Sequence, residues 1–270
     1  VAITPWQRRI RRAEDLAQKH SFAAEILGFY IQVAKFQETL YQRLEQGSAG
    51  VPPAVEWVSR PLPGQQNAAA ETLRATFPQF LSLVEKKGPA SLAQIAHDLR
   101  ASNPNSWPDL FAEGWTRTDA PTDPQEFLVL AFLQPAAVAR TEANLQLEGY
   151  THPLCPFCNR KPAAGILRQQ GDGGRRSLLC GFCLTEWDFR RIVCPGCGEE
   201  DHAKLPVYTA EELPYIRVEC CDTCKTYIKT IDLTKNGLAD PLVDELASIP
   251  LNLWAQDHGY AKLHPNLLGM

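Results

Sequence analysis

The segment Cys180-Gly-Phe-Cys183-Leu-Thr-Glu186-Trp187-Asp-Phe-Arg190-Arg-Ile-Val-Cys194-Pro-Gly-Cys197 holds two Cys-x-x-Cys turns only ten residues apart. Two more turns flank it, Cys155-Pro-Phe-Cys158 upstream and Cys221-Asp-Thr-Cys224 downstream. A Cys-x-x-Cys turn puts two sulfurs on one side of a loop, close enough to share an ion, and two such turns joined by a hairpin complete a tetrahedral S₄ set. One turn is weak evidence, whereas four at ribbon spacing point to two metal centres.

The four turns form an internal repeat. Between Cys158 and Cys180 run residues 165–170, the turn Gly171-Asp-Gly-Gly174 and residues 175–179, which read as a β-hairpin. Between Cys197 and Cys221, residues 204–208 and 214–219 flank a longer turn. The hairpins favour sequential pairing, Cys155/Cys158 with Cys180/Cys183 and Cys194/Cys197 with Cys221/Cys224. Spacing alone leaves an interleaved cross-brace open. All four positions of each set are filled by sulfur, which suits structure or electron transfer better than Lewis-acid catalysis. Zinc and iron both accept S₄, and spacing does not choose between them. The ninth thiol, Cys220, reads as a small buried hydrophobe, and His152 and His202 as ordinary histidines outside complete sets.

All nine cysteines lie between Cys155 and Cys224, and nothing in the chain reads as secretory, so the expected setting is a reducing cytoplasm. Arg8-Arg9 and Arg11-Arg12 are followed by a polar stretch, so they read as a solvated helix face rather than an export signal. No apolar run is long enough to span a membrane. A net charge of −4, with charges nearly balanced over residues 150–237, argues against a nucleic-acid partner.

Residues 1–150 have helical character. Apolar residues recur at three- and four-residue steps over 21–46, giving one long amphipathic helix, with further helices expected over 67–85, 91–100 and 124–148. Residues 47–64 and 103–123, rich in proline and glycine, read as connections. Residues 207–208, 215–218 and 227–233 have strand composition, and 240–259 is helical again. The fold class is therefore α+β: an α-helical N-terminal domain (1–150), two tandem rubredoxin- or zinc-ribbon-like β modules with Cys₄ metal sites (151–192 and 193–238), and a C-terminal helix and tail (239–270). In the ten-residue linker, Glu186, Trp187 and Arg190 are candidates for a partner surface. A packed Trp187 inside an ion-pair cluster is the alternative.

Three further stretches stand out beside the Cys180–Gly198 segment: Tyr227-Ile-Lys-Thr-Ile-Asp-Leu233, Leu251-Asn-Leu-Trp254-Ala-Gln and Asn266-Leu-Leu-Gly269. With them the chain resembles the formate dehydrogenase accessory protein FdhE family, specifically over about 155–269 and more weakly in the helical part. Gly181 stands where the family is associated with a serine. The resemblance implies a cytoplasmic, non-enzymatic assembly factor that contacts the catalytic subunit of a respiratory formate dehydrogenase. It also implies two rubredoxin-type iron ions, with zinc as the alternative, held by Cys155, Cys158, Cys180, Cys183, Cys194, Cys197, Cys221 and Cys224. The competing readings are a zinc-ribbon nucleic-acid binder and a rubredoxin-like electron carrier.

Overall fold

A computed structural model describes residues 3–46, 68–121, 123–142, 149–171 and 173–266. The break expected at 47–64, Asp172 in the first hairpin turn, the expected helix end at 143–148 and residues 267–269 of the closing motif lie outside the described residues. The chain divides into two compact units, one of them built from residues 29–145.

That unit is helical. It contains most of α2 (Ala24–Gln46), then α3 (Ala68–Lys87), α4 (Ala90–Ala101), α5 (Trp107–Thr116) and α6 (Pro124–Glu142). The helix expected over 21–46 begins with a single 3₁₀ turn, and Phe22 stays exposed. Phe29, Tyr30, Val33, Leu40 and Leu44 are buried, so most of the apolar stripe is core. Phe77 meets Trp107 and Phe111 edge-on, with ring centroids 5.3 and 4.9 Å apart, and packs against Phe132 at 4.7 Å. α5 replaces the loop expected across 103–123. Its Pro108 sits in the first turn, where no backbone donor is lost, and Trp107, Phe111 and Trp115 recur every four residues on a buried face.

The other unit joins residues 1–28 to 146–266, so the first helix belongs with the cysteine-rich half rather than with the helical domain the sequence suggests. α1 (Pro5–Lys19) starts with a capping box between Thr4 and Gln7. It is fixed by Arg12, whose Nε and Nη2 donate to Asp244 at 2.9 and 2.5 Å, with Nη2 also reaching the Tyr215 hydroxyl at 3.2 Å. Arg9 stacks over Trp6 and lies 3.9 Å from Asp240. The expectation of a solvated basic face is corrected for these two arginines, which are mostly buried against acidic groups far along the chain.

A single sheet dominates this unit. β1 (Pro162–Gln170) and β2 (Gly173–Cys180) form the first hairpin, and β3 (Glu186–Asp188) extends it. β4 (Val207–Thr209), β5 (Ile216–Cys221) and β6 (Thr226–Asp232) form the second antiparallel set. The two ribbons fuse, because β1 pairs in parallel with β6 through Gly165–Thr230, Ile166–Ile231 and Leu167–Asp232, giving the order β3-β2-β1-β6-β5-β4. β7 (Ala261–Lys262) continues the same edge of β6.

The C-terminal helix expected over 240–259 is broken into α7 (Pro241–Ala247) and α8 (Ile249–Asp257). Pro250 cannot donate to the preceding turn. At the break the buried Lys229 ammonium donates to the Glu245 carbonyl at 2.5 Å and to Ser248 Oγ at 3.0 Å. Glu245, also buried, lies 3.0 Å from Lys229, accepts from Lys262, and accepts from Asn266 at 3.0 Å. Burial works against the ionised Glu245, but Lys229 and Lys262 outweigh it and hold its carboxyl at about 2. Among the described residues, no helix is long and apolar enough to cross a membrane.

Two substitutions test these joints. A Cβ at Gly165 would lie 2.2 Å from Thr230 Oγ1 and 3.1 Å from Thr230 Cβ, so rotating the threonine does not relieve the clash. Gly165→Ala should cost about 1–3 kcal/mol, read as a lowered urea midpoint. Glu245→Gln leaves the buried Lys229 and the half-buried Lys262 short of a counter-charge and should cost about 3–5 kcal/mol by the same measurement.

Candidate metal centre

The sulfurs of Cys155, Cys158, Cys180 and Cys183 lie within 4.8 Å of one another, and so do those of Cys194, Cys197, Cys221 and Cys224. The arrangement is the sequential one, not the cross-brace. Individual separations are 3.4 Å for Cys155–Cys183 and Cys158–Cys180, and 3.7 Å for Cys194–Cys224 and Cys197–Cys221. Four thiolates around an ion at ~2.3 Å stand ~3.8 Å apart, so both sets fit a tetrahedral ion. None of these cysteines is in a disulfide.

Each turn is shaped by the residue after its second cysteine. Asn159, Leu184, Gly198 and Lys225 all adopt left-handed backbone, with φ of 56°, 58°, 79° and 55°. The chain thereby reverses, and the amides of Asn159, Gly198 and Lys225 donate to the carbonyls of Cys155, Cys194 and Cys221, each at 2.9 Å. Glycine and asparagine tolerate this conformation, whereas Leu184 and Lys225 adopt it at a cost of about 1–2 kcal/mol. Backbone amides also point at sulfur: Phe182 N–H to Cys180 at 3.4 Å and Gly196 N–H to Cys194 at 3.3 Å. In the second turn of each set a threonine two residues after the last cysteine lies 3.0 Å from its sulfur, Thr185 at Cys183 and Thr226 at Cys224. This Cys-x-Thr repeat was legible in the sequence and was not picked out there. Donors of this kind spread thiolate charge and tune a bound ion.

Burial pushes Cys180 and Cys183 well above the usual thiol range. It pushes Cys194 up to about 12. Hydrogen bonding from Cys155 and the other thiols draws Cys158 well down. At Cys224 burial opposes ionisation, but Thr226 and the neighbouring thiols bring it to about 7. A divalent or trivalent ion supplies the positive charge that lets all four sulfurs of a set ionise together.

The two sets differ in exposure. In the first, Cys155, Cys180 and Cys183 are buried, and the buried Arg160 guanidinium lies 4.0 Å over the Phe182 ring inside the second turn. In the second, Cys194 and Cys221 are buried, while Cys197 is exposed. The ribbons are tied by Arg176 on β2, which donates to the carbonyls of Arg190 and Val193 at 3.0 and 3.2 Å and to Glu219 on β5 at 2.7 Å. Cys220 is buried in an apolar cluster with Val218, Tyr227 and Leu251, and its thiol is pushed up to about 12. His152 and His202 are exposed and belong to neither set.

The linker residues separate in role. Trp187 is buried at 2% exposure, with Nε1 donating to the His152 carbonyl at 2.8 Å. Glu186 pairs with Arg168 and accepts from Ser177 Oγ at 2.6 Å. Arg190 is exposed beside Glu200 at 2.6 Å. Trp187 is therefore a packing residue and is not presented as an anchor, because β3 turns it into the sheet's interior.

The protein should bind two ions per chain. Uptake at the first set should release protons from Cys180 and Cys183, seen as a buffer-dependent heat in titration calorimetry; as pH falls, protons compete and affinity drops. Cys194→Ser should remove one ion and open residues 195–225 to proteolysis while α3–α6 stay protected. Elemental analysis finding one ion per wild-type chain, or irons with inorganic sulfide, contradicts this arrangement.

Comparisons with known proteins follow the same boundaries. The family model described as "FdhE, central domain" matches residues 154–191, and "FdhE, C-terminal domain" matches 192–268, so one model covers each cysteine set. A protein FdhE homolog of Aquifex aeolicus is 36% identical over 149 residues, 54% of this chain and 53% of that protein. The chain thus spans about half the length of that relative. A homolog from Haemophilus influenzae strain PittEE is 28% identical over 95% of this chain and 85% of its own. The crystal structure of the FdhE protein from Pseudomonas aeruginosa superimposes with a TM-score of 0.69 at 25% identity, covering 99% of this chain and 96% of that one. With two FdhE domain models in tandem over residues 154–268 and an FdhE crystal structure matched over 99% of its length, the chain belongs to the FdhE family.

Proposed function

We propose that the protein is a cytoplasmic assembly factor for a respiratory formate dehydrogenase, which it serves by binding the catalytic subunit. Membership of the FdhE family supports an accessory role rather than an enzymatic one. The observation that carries most weight is the pair of complete S₄ sets at tetrahedral spacing, within one sheet held by Arg176. Both sets are saturated by protein sulfur, so the ions they hold would shape a binding surface or carry electrons, with no coordination position left for a substrate. Iron of the rubredoxin type is the proposed occupant, with zinc as the alternative. Protein purified without oxygen should show the visible absorption of ferric thiolate after mild oxidation. A colourless, zinc-only preparation would favour the alternative.

The contact surface is proposed to surround the second set. A cavity of about 470 Å³ there is lined by Arg191, Ile192, Val193, Val207 and Arg217, among others. Ile192, Val207 and the neighbouring Tyr208 are large apolar groups left exposed, and Arg190 stands close in sequence. Apolar and arginine side chains together are the composition of an interface centre.

In titrations of the metal-loaded protein with the catalytic subunit, Ile192→Asp and Tyr208→Ala should each weaken binding about tenfold or more. Arg190→Ala should have a smaller effect, because its pair with Glu200 is solvated. Trp187→Ala should act through stability instead. If all metal-replete surface variants bind like wild type, the interface lies elsewhere, with α2 the next candidate.

A further inference from the structure

The two cysteine sets share a ligand pattern but not an environment. In the first, three of the four cysteines are at or below 1% exposure, and Arg160 stacks on Phe182 in its second turn. In the second, Cys197 is exposed and Cys224 half-buried, whereas Cys194 and Cys221 form part of the wall of the 470 Å³ cavity. The second set is thus approached from two directions, from solvent at Cys197 and through the cavity at Cys194 and Cys221. Its turn residue Lys225 also holds a left-handed conformation that costs energy, and it lies on the surface rather than packed in a core.

From this asymmetry we infer that the two centres have different jobs: the Cys155 set holds its ion permanently as part of the fold, and the Cys194 set is an exchangeable centre. Its ion can be taken up from, or given to, a small chelating molecule with anionic oxygen or nitrogen donors. This rests on the reading of both sets as metal sites. The exchange is ligand substitution without redox change. Cys197 would be released first and the other thiolates in turn, each taking up a proton given up by the chelator's donors or by the buffer, with no change of oxidation state. Arg191 and Arg217, in the cavity wall, suit an approaching anion. In the first set, among the described residues, Cys158 is half-buried and the other three cysteines are buried, so its ion would leave chiefly when the ribbon opens locally, which sets a slower rate.

The test uses the full chain loaded with zinc, after elemental analysis confirms two ions. The chelator 4-(2-pyridylazo)resorcinol is added and metal transfer followed by absorbance, with iodoacetamide present and alkylated peptides mapped by mass spectrometry. One equivalent should leave in a fast phase and the second about tenfold more slowly or worse. Cys197 and Cys224 should be alkylated in step with the fast phase, with Cys155, Cys180 and Cys183 protected until the slow one. Native mass spectrometry between the phases should find one ion retained. Two equivalents leaving in a single phase, or Cys180 and Cys183 alkylated first, would overturn the assignment. A preparation that takes up no ion fails at the elemental analysis, and sinks the metal reading along with this inference.

Discussion

The fused ribbon depends on how closely β1 and β6 can approach at Gly165. Parallel pairing there brings the first strand of one hairpin against the last strand of the other, with Thr230 filling the space a side chain would occupy. Without that contact the joint between the two cysteine sets would fall to the ten-residue linker and the bonds of Arg176. With it, Ile166 and Ile231 become neighbours in one core with Leu179 and Leu242, and α7 has a continuous surface to cover. Small metal ribbons bury too little apolar area to be stable alone. Sharing a sheet gives each of them the other's core.

Buried charge organises the same face of the sheet, under α7. Lys229 extends from β6 to the broken end of α7, and Glu245 collects Lys229, Lys262 and Asn266 around one carboxylate. Asp244, the next residue on α7, takes Arg12 and Tyr215. Ion pairs this deep add little net stability over apolar packing, but removing one member is costly. They give α7 a unique seat between α1, the sheet and the terminal strand. Tyr227 is joined to Asn252 in the same way, at 3.0 Å. The stretches that carry the family resemblance, around Tyr227, Asn252 and Asn266, are thus the members of one polar framework.

The cysteine framework, its sequential pairing and both hairpins were legible because Cys-x-x-Cys spacing and period-two strands are local patterns. The parallel seam was not, since nothing local marks residue 165 as a partner of residue 230. The same limit hid the role of Arg9 and Arg12, whose acidic partners lie more than two hundred residues away. α5 was missed for a different reason: Pro104, Pro108 and Gly114 read as breakers, although Pro108 occupies a first turn and Trp107, Phe111 and Trp115 kept the helical period. Trp187 reads as a candidate surface anchor because a short charged linker looks exposed in sequence. Only the pairing of residues 186–188 with β2 shows that its ring points inward. The two groups of four cysteines needed no such long-range information.

The sheet ends on both sides in strands of three residues, β3 and β4. An open edge offers unpaired backbone groups to any other extended chain, and length and charge decide how good a template it makes. On β3 the two outward positions are Glu186 and Asp188, held by Arg168 and Arg175 from the hairpin behind them. The charged linker therefore guards a margin, placing like charges where another copy's strand would have to pair. The β4 margin carries Val207, Tyr208 and Thr209, all uncharged and exposed, and has no such guard. Self-association, if it is ever forced on this protein at high concentration, would begin at that end of the sheet.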